Sequence, residues 1–248
     1  MAYPSLLYGP DGEQFNVYVA TGLNPQRWPF GTQMIMQDGR KFRFAMAGGS
    51  TLVIGDLLTA AANVANDVGR TGIAAAIGAR SPTLTLGGAT TANLYAEGYW
   101  LNSVTPGGGD SYVIDNHLAG TTAVAFNLAA GHAIRTALTT TTRVDLIENP
   151  YKSVIQTPVT TTTAAPVGVA VSAPTTTQYC WIQTAGMASV LTSGTVVLGS
   201  PVNNIQVAGA VGPPENTTVA TLAKQLVVGI CQRVAASGAW SDIKLTLD

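Results

Sequence analysis

Apolar and polar residues alternate with a period of two along much of the chain, the spacing of half-buried strands. The stretch from Pro166 to Pro201 shows it best. Val167–Val171 is a short apolar run. Tyr179–Thr184 then places Tyr179, Trp181 and Gln183 on one face and Cys180, Ile182 and Thr184 on the other. Gly186 is expected to bend this strand, Met187–Leu191 to continue it, Ser193-Gly194 to turn it and Val196–Leu198 to return, with Pro201 closing the unit because it has no N–H for a ladder. Phe42, Phe44 and Met46 share a face, as do Val124, Phe126 and Leu128, and as do Ile243, Leu245 and Leu247. Further strands are expected at Thr83–Leu86, Asn93–Tyr95, Tyr99–Val104, Ser111–Asp115, Arg143–Ile147, Thr195–Leu198, Gln206–Val211 and Gln225–Cys231.

One segment carries the other period. Leu57, Leu58, Ala61, Val64, Ala65 and Val68 recur at helical spacing, with Gly69 as C-cap, which predicts a helix over Leu57–Val68. The expected class is therefore all-β: β-sandwich or β-barrel-like units of antiparallel strands, an extended N-terminal arm and at most one or two short helices. Turn-forming residues and the threonine runs divide the chain into an arm or extended segment over 1–45, a first β-domain over 46–160 and a second over 161–248, which could pack as one. The boundary falls in Thr157–Pro166. A short motif recurs at Thr71-Gly72-Ile73-Ala74, Val167-Gly168-Val169-Ala170 and Val228-Gly229-Ile230-Cys231. Each is followed by a Trp-bearing strand, at Trp100, Trp181 and Trp240. That pattern fits a reused β-unit and equally fits chance recurrence in a β-protein.

Composition changes what such a fold can do. Only 10% of residues are charged, against about 25% in ordinary soluble domains, and the formal net charge is -1. No Lys/Arg cluster exists, which argues against nucleic acid and anionic membrane surfaces as partners. No apolar run of membrane-spanning length occurs, and Met1-Ala2-Tyr3-Pro4 does not read as the start of a signal peptide. A charge-poor, nearly neutral surface has little to oppose association, which favours a subunit of an assembly over a free monomer.

Candidate chemistry is sparse. His117 lies two residues from Asp115, a pairing too small for a metal site, and His132 stands apart. There is no G-x-S-x-G elbow, and Gly48-Gly49-Ser50 reads as a loop. Cys180 and Cys231 sit in apolar strands and are expected buried and reduced, a disulfide between them being the alternative. Glu97 and Asp110 stand as acid candidates only because acids are few. Pro106–Asp110 is glycine-rich but precedes a strand, so a hairpin turn is expected rather than a phosphate cradle. Asn216-Thr217-Thr218 matches a glycosylation sequon. The expectation is no enzymatic activity, no cofactor and no metal.

The first 45 residues are dense in aromatics: Tyr3, Tyr8, Phe15, Tyr18, Trp28 and Phe30. They read either as an arm lying on another surface, a capsid or subunit interface, or as hairpins leading into the first sheet.

The order of features from Gly98 onward resembles head structural proteins of tailed bacteriophages. The residues carrying it are Glu97–Asn102, the Gly107–Tyr112 turn, Arg143–Tyr151, Pro166–Val169, Tyr179–Gly186 and Val228–Ile230 with the terminal strand. This resemblance covers about two-thirds of the chain, and the N-terminal 45 residues lie outside it. It implies a capsid decoration (cement) protein, assembled in the host cytoplasm and residing on the virion exterior. Such a protein is often a homotrimer clamping neighbouring copies of the major capsid protein, and the family offers no catalytic residues to carry over. A major capsid protein would need a long spine helix, which is not found. A tail-tube or fibre component and a carbohydrate-binding β-domain are the competing readings.

Overall fold

The alternation does produce strands, and no α-helix forms among the described residues. The computed structural model describes residues 17–18, 26–158, 164–205, 207–214 and 226–248, and residues 6–9 by their backbone. In chain order the strands are β1 (Leu6–Gly9), β2 (Gln33–Met36), β3 (Lys41–Met46), β4 (Leu57–Thr59), β5 (Arg70–Thr71), β6 (Thr83–Thr85), β7 (Tyr99–Val104), β8 (Ser111–His117) and β9 (Ala123–Leu128). They continue with β10 (Arg143–Ile147), β11 (Ile155–Gln156), β12 (Pro166–Ala170), β13 (Tyr179–Leu191), β14 (Pro201–Asn204), β15 (Val211–Gly212), β16 (Val227–Arg233) and β17 (Trp240–Thr246).

Two compact units result, and the second is inserted into the first: residues 1–61 with 150–248, and Ala62–Asn149. These are not the spans drawn from the sequence. Thr157, placed there at the boundary, is buried, and both its N–H and its hydroxyl donate to the Leu57 carbonyl, at 3.0 and 2.9 Å. Its neighbourhood therefore belongs inside the first unit; residues 159–163 of the same stretch lie outside the described residues. Among the described residues of 1–45, β2 and most of β3 are members of the first unit's sheet rather than an arm.

The first unit is organised around β13. Its first half pairs antiparallel with β3, from Tyr179 opposite Met46 onward, and its second half pairs with β17, from Ala185 opposite Thr246 to Leu191 opposite Trp240. The register with β3 shifts between Gln183 and Ala185, and Gly186, at φ +84°, follows directly as the strand passes to β17. Sheet order runs β1-β2-β3-β13-β17-β16-β14-β15, with β12 joining β13 to β4 and β4 pairing β11. Both faces of the first half of β13 are buried. Cys180 and Ile182 enter a core with Ala45, Leu52, Leu58 and Val154, while Trp181 enters another with Met34, Phe42 and Phe44. Further along, Ala188 and Val190 pack with Val228, Cys231, Ile243 and Leu245.

The second unit is a six-stranded antiparallel sheet, β5-β10-β7-β8-β9-β6, nearly closed into a barrel by a bridge between Gly72 and Leu84. Val124, Phe126 and Leu128 point inward as their spacing predicts, onto Trp100, Tyr112, Ile114, Val144 and Leu146. The fully buried Trp100 donates its indole N–H to Asn102 Oδ1 at 2.8 Å, so its one polar atom is satisfied. Pro106–Asp110 forms the expected turn between β7 and β8, closed by Asn102 N–H to the Asp110 carbonyl at 2.9 Å.

Several expected elements are corrected. No helix forms over Leu57–Val68. Leu57–Thr59 are buried in β4 between β11 and β12, and only a single 3-10 turn, Ala65–Asp67, follows. Ladder partners on both sides claim the backbone of β4, and Val64 and Val68 of the helical stripe are exposed. Asn93–Tyr95 is a turn, with Asn93 at φ 60° and its side-chain oxygen accepting from His117 N–H. Thr195–Leu198 is not a strand. The next strand, β14, pairs with β16 and β15 rather than returning on β13, and it begins at Pro201, a first-residue position where the missing N–H costs nothing. Of Gln206–Val211 only Val211 enters a strand, Gln206 lying outside the described residues. The recurring motif does not share one topology: β12 pairs β13 and β16 pairs β17, but β5 pairs β10 rather than β7.

Candidate interaction surface

Several of the groups that could carry chemistry are engaged in packing and pairing. His117 is buried; its Nε2 accepts from Tyr95 N–H at 3.0 Å, which places the ring proton on Nδ1, 2.9 Å from the Leu118 carbonyl. Asp115, its proposed companion, is exposed, and the ladder slips between Ile114 and Asn116. Tyr95 donates its hydroxyl to the buried Asp67 at 2.6 Å, and burial, first, then that carboxylate push the phenol pKa upward. Asp110 is held by Arg135 at 3.0 Å and by the Tyr112 hydroxyl at 3.1 Å. Glu97 sits at φ 63°, its carbonyl accepting from Asn149. His132 is half-buried in the turn after β9, and Ser50 is exposed in its loop. Cys180 and Cys231 are free and buried, and burial pushes the Cys180 thiol up to about 12, the opposite of an activated nucleophile. Among the described residues no three His, Cys, Asp or Glu side chains gather as metal ligands. Asn216-Thr217-Thr218 lies outside the described residues.

The N-terminal aromatics are dispersed. Tyr3 and Phe15 lie outside the described residues, as does the side chain of Tyr8. Tyr18 is exposed, and its hydroxyl accepts from Arg40. Trp28 and Phe30 turn onto their own sheet. The Trp28 ring meets Phe44 edge-on at 5.3 Å and Trp181 at 5.4 Å, while Phe30 stacks on Tyr179 at 5.9 Å. Such pairs contribute roughly 0.5–1.5 kcal/mol each beyond the area they bury. These two aromatics therefore stabilise the first unit, and what they offer a partner is only their outer edge.

A different surface gathers exposed apolar groups. On the outer face of β13, β17, β16 and β14, the register aligns Met187, Lys244, Ile230 and Pro201 in one row, all exposed. The next row holds Ser189, Asp242 and Arg233, and the one beyond it Leu191 and Trp240. Trp240 is 48% exposed, yet it is fixed: its indole N–H donates to the Ile54 carbonyl at 3.3 Å. The ring lies against Gly55, at φ +87°, where an added Cβ would fall 2.3 Å from the indole nitrogen. Only glycine fits that position. Val53 and Ile54, just before it, are exposed as well. Arg233 binds Asp242 with two nitrogens, at 2.6 and 3.1 Å, and donates to the Trp240 carbonyl at 3.2 Å. That bond lowers the Asp242 pKa.

Sequence reading found the alternation of β17 but not this surface. Trp240 is outward because it is in step with Asp242 and Lys244, and that signal was present. Which residues of β13 and β16 share its face depends on cross-strand register, and its bond to Ile54 on a distant loop. Comparison of the chain with protein-family models, with curated proteins and with solved structures finds no match.

Proposed function

We propose that this chain is a non-enzymatic structural protein of a virion, a decoration protein that binds the outer surface of a phage head and stabilises the lattice of the major capsid protein. The observation that carries the reading is the outer face of β13, β17, β16 and β14, where a pinned, half-exposed Trp240 adjoins the row of Arg233 and Asp242, with Met187 and Ile230 exposed in the row beyond. Trp, Arg and Met are the residue types enriched where protein interfaces concentrate their binding energy. A ring already held in place loses little conformational freedom on docking. Sparse charge, 10% of residues, supports the same reading, because few charged groups need stripping of water when such a surface is covered.

A binding contact of about 800 Å² per partner, the standard size, would add cross-subunit contacts without any catalytic step. The test is co-sedimentation of the purified protein with heads that lack it. Wild type is expected to bind, and Trp240→Ala to bind roughly 30-fold more weakly, the effect of a hot spot near 2 kcal/mol. Absence of wild-type binding at every salt concentration overturns the reading.

One feature of the same face favours a second reading, a carbohydrate-binding β-domain. A fixed indole face with Asp242 and Arg233 in the adjoining row can stack on a sugar ring and bond its hydroxyls. Retention on a glycan array, lost in Trp240→Ala, would favour it over the decoration role.

A further inference from the structure

We infer that Asp56 is a positioning residue for Trp240: its buried carboxyl holds the turn of residues 53–56 in place while neutral and loosens it on ionising, so that pH sets the exposed indole. The inference rests on reading the Trp240 face as the binding surface and names how that surface is regulated.

The turn is held from its inner side. Val53 and Ile54 are exposed, whereas Gly55 and Asp56 are buried. Asp56 N–H donates to the Val53 carbonyl at 3.2 Å and Gly55 N–H to the Ala170 carbonyl at 2.8 Å. The Gly55 carbonyl accepts from Leu191 N–H at 2.8 Å, and Leu191 is the ladder partner of Trp240. Displacing this turn therefore moves both supports of the indole: the Ile54 carbonyl that takes its N–H and the Gly55 backbone against which the ring lies.

Asp56 closes the inner end, 2% exposed. Its Oδ2 accepts from Gln156 Nε2 of β11. The backbone of Gly209 presses on it so closely that an added Cβ would fall 2.5 Å from the carboxyl carbon. Gly209 is fixed in turn, its carbonyl accepting from Leu57 N–H at 2.7 Å and its N–H donating to the Thr157 carbonyl at 3.1 Å. The segments around the carboxyl, β4, β11, β12 and residues 207–210, contain no charged or titratable side chain. On the outer face of β16 and β17, Arg233 is paired with Asp242, and Lys244 is exposed. Burial raises the Asp56 carboxyl above its ordinary value of 3.8, and only the Gln156 bond works against it. A carboxyl raised in this way gives the fold its full support while neutral, and that support falls as pH rises from the unfolded value through the folded one. Relief comes from admitting water to the carboxylate. Gln156 and Gly209 are tied to β4, so the turn, uncovered on its outer side, is the segment that yields.

The test reads the indole itself, in the free protein labelled with ¹⁵N-tryptophan. The Trp240 indole N–H resonance, identified by its loss in Trp240→Phe, is followed from about pH 3 to about pH 8. It is expected to shift with a midpoint above 3.8, and Asp56→Asn should abolish that step. Asp242, lowered by Arg233, titrates below 3.8 and marks a separate step. At neutral pH the indole hydrogen of Asp56→Asn should exchange with solvent about tenfold more slowly than that of wild type, the bias that accompanies one pH unit. No step above 3.8 in wild type, or a step that survives in Asp56→Asn, overturns the inference. If Asp56→Asn fails to fold, Gln156→Leu decides: losing the bond that lowers the carboxyl should move the midpoint upward, and an unchanged midpoint overturns it. The measurement needs no partner, so failure of the protein to bind heads counts against the decoration role alone.

Discussion

Arg43 and Asp248 stand far apart in the chain, yet the Arg43 guanidinium holds both carboxylate oxygens of Asp248, at 2.8 and 2.7 Å. Gln33 and Thr184 add bonds at 3.1 and 3.2 Å. The alternation of the last strand places Asp248 outward, but nothing local could supply its partner. Arg43, first, with smaller help from Gln33 and Thr184, holds the Asp248 side-chain carboxyl below its ordinary value of 3.8. A carboxyl with a depressed folded pKa stabilises the fold above its unfolded value, and that contribution is lost as pH falls through the folded one. Asp248→Asn should therefore cost about 1–2 kcal/mol at neutral pH, the magnitude of a charged hydrogen bond at a partly exposed site. In urea titrations the gap between variant and wild type should close as pH falls below about 4. A gap that stays constant down to strong acid would show that the pair contributes nothing through its charge.

Among elements, the legible ones were those whose alternation coincided with burial. β3, β7, β8, β9 and β10 follow from Phe42 and Phe44, Trp100, Tyr112 and Ile114, Phe126, and Val144 and Leu146, since each strand has an inner face of large apolar residues. Leu57–Val68 misled because Leu and Ala fit a helix and a buried strand alike, and the ladders to β11 and β12 decided between them. The candidate surface was half legible for a related reason: residue types are local, whereas register is not. β13 and β16 each carry one of the cysteines, buried to 1% and 0% exposure. With the Cys180 thiol pushed up to about 12, negligible thiolate exists near neutrality. Thiol titration of the native protein should be slow and should reach two groups per chain once denaturant is added. Rapid reaction of either thiol in native buffer contradicts the burial on which this rests.

For the molecule as a whole, what the sequence hid was nesting. Composition is uniform across Ala62 and Asn149, so no shift in charge or glycine marks where one unit gives way to the other. The inserted unit has its own core around Trp100 and Phe126 and its own nearly closed sheet. Residues 62–149 expressed alone should unfold cooperatively, with a single transition in both far-ultraviolet dichroism and tryptophan fluorescence. A gradual, non-coincident melt would mean that this core cannot stand unaided. The same nesting imposes an order of events on the ribosome. Every strand of the insert emerges before any of β11 to β17, so the barrel can close while β3 and β4 still wait for partners made later. During that interval Phe42 and Phe44 have only β2 beside them and Leu57 and Leu58 have neither ladder partner, although all four are fully buried in the finished protein. Speed of elongation past Tyr179, rather than final stability, then governs how long an apolar nascent segment is open to chaperones or to neighbouring chains on the same message.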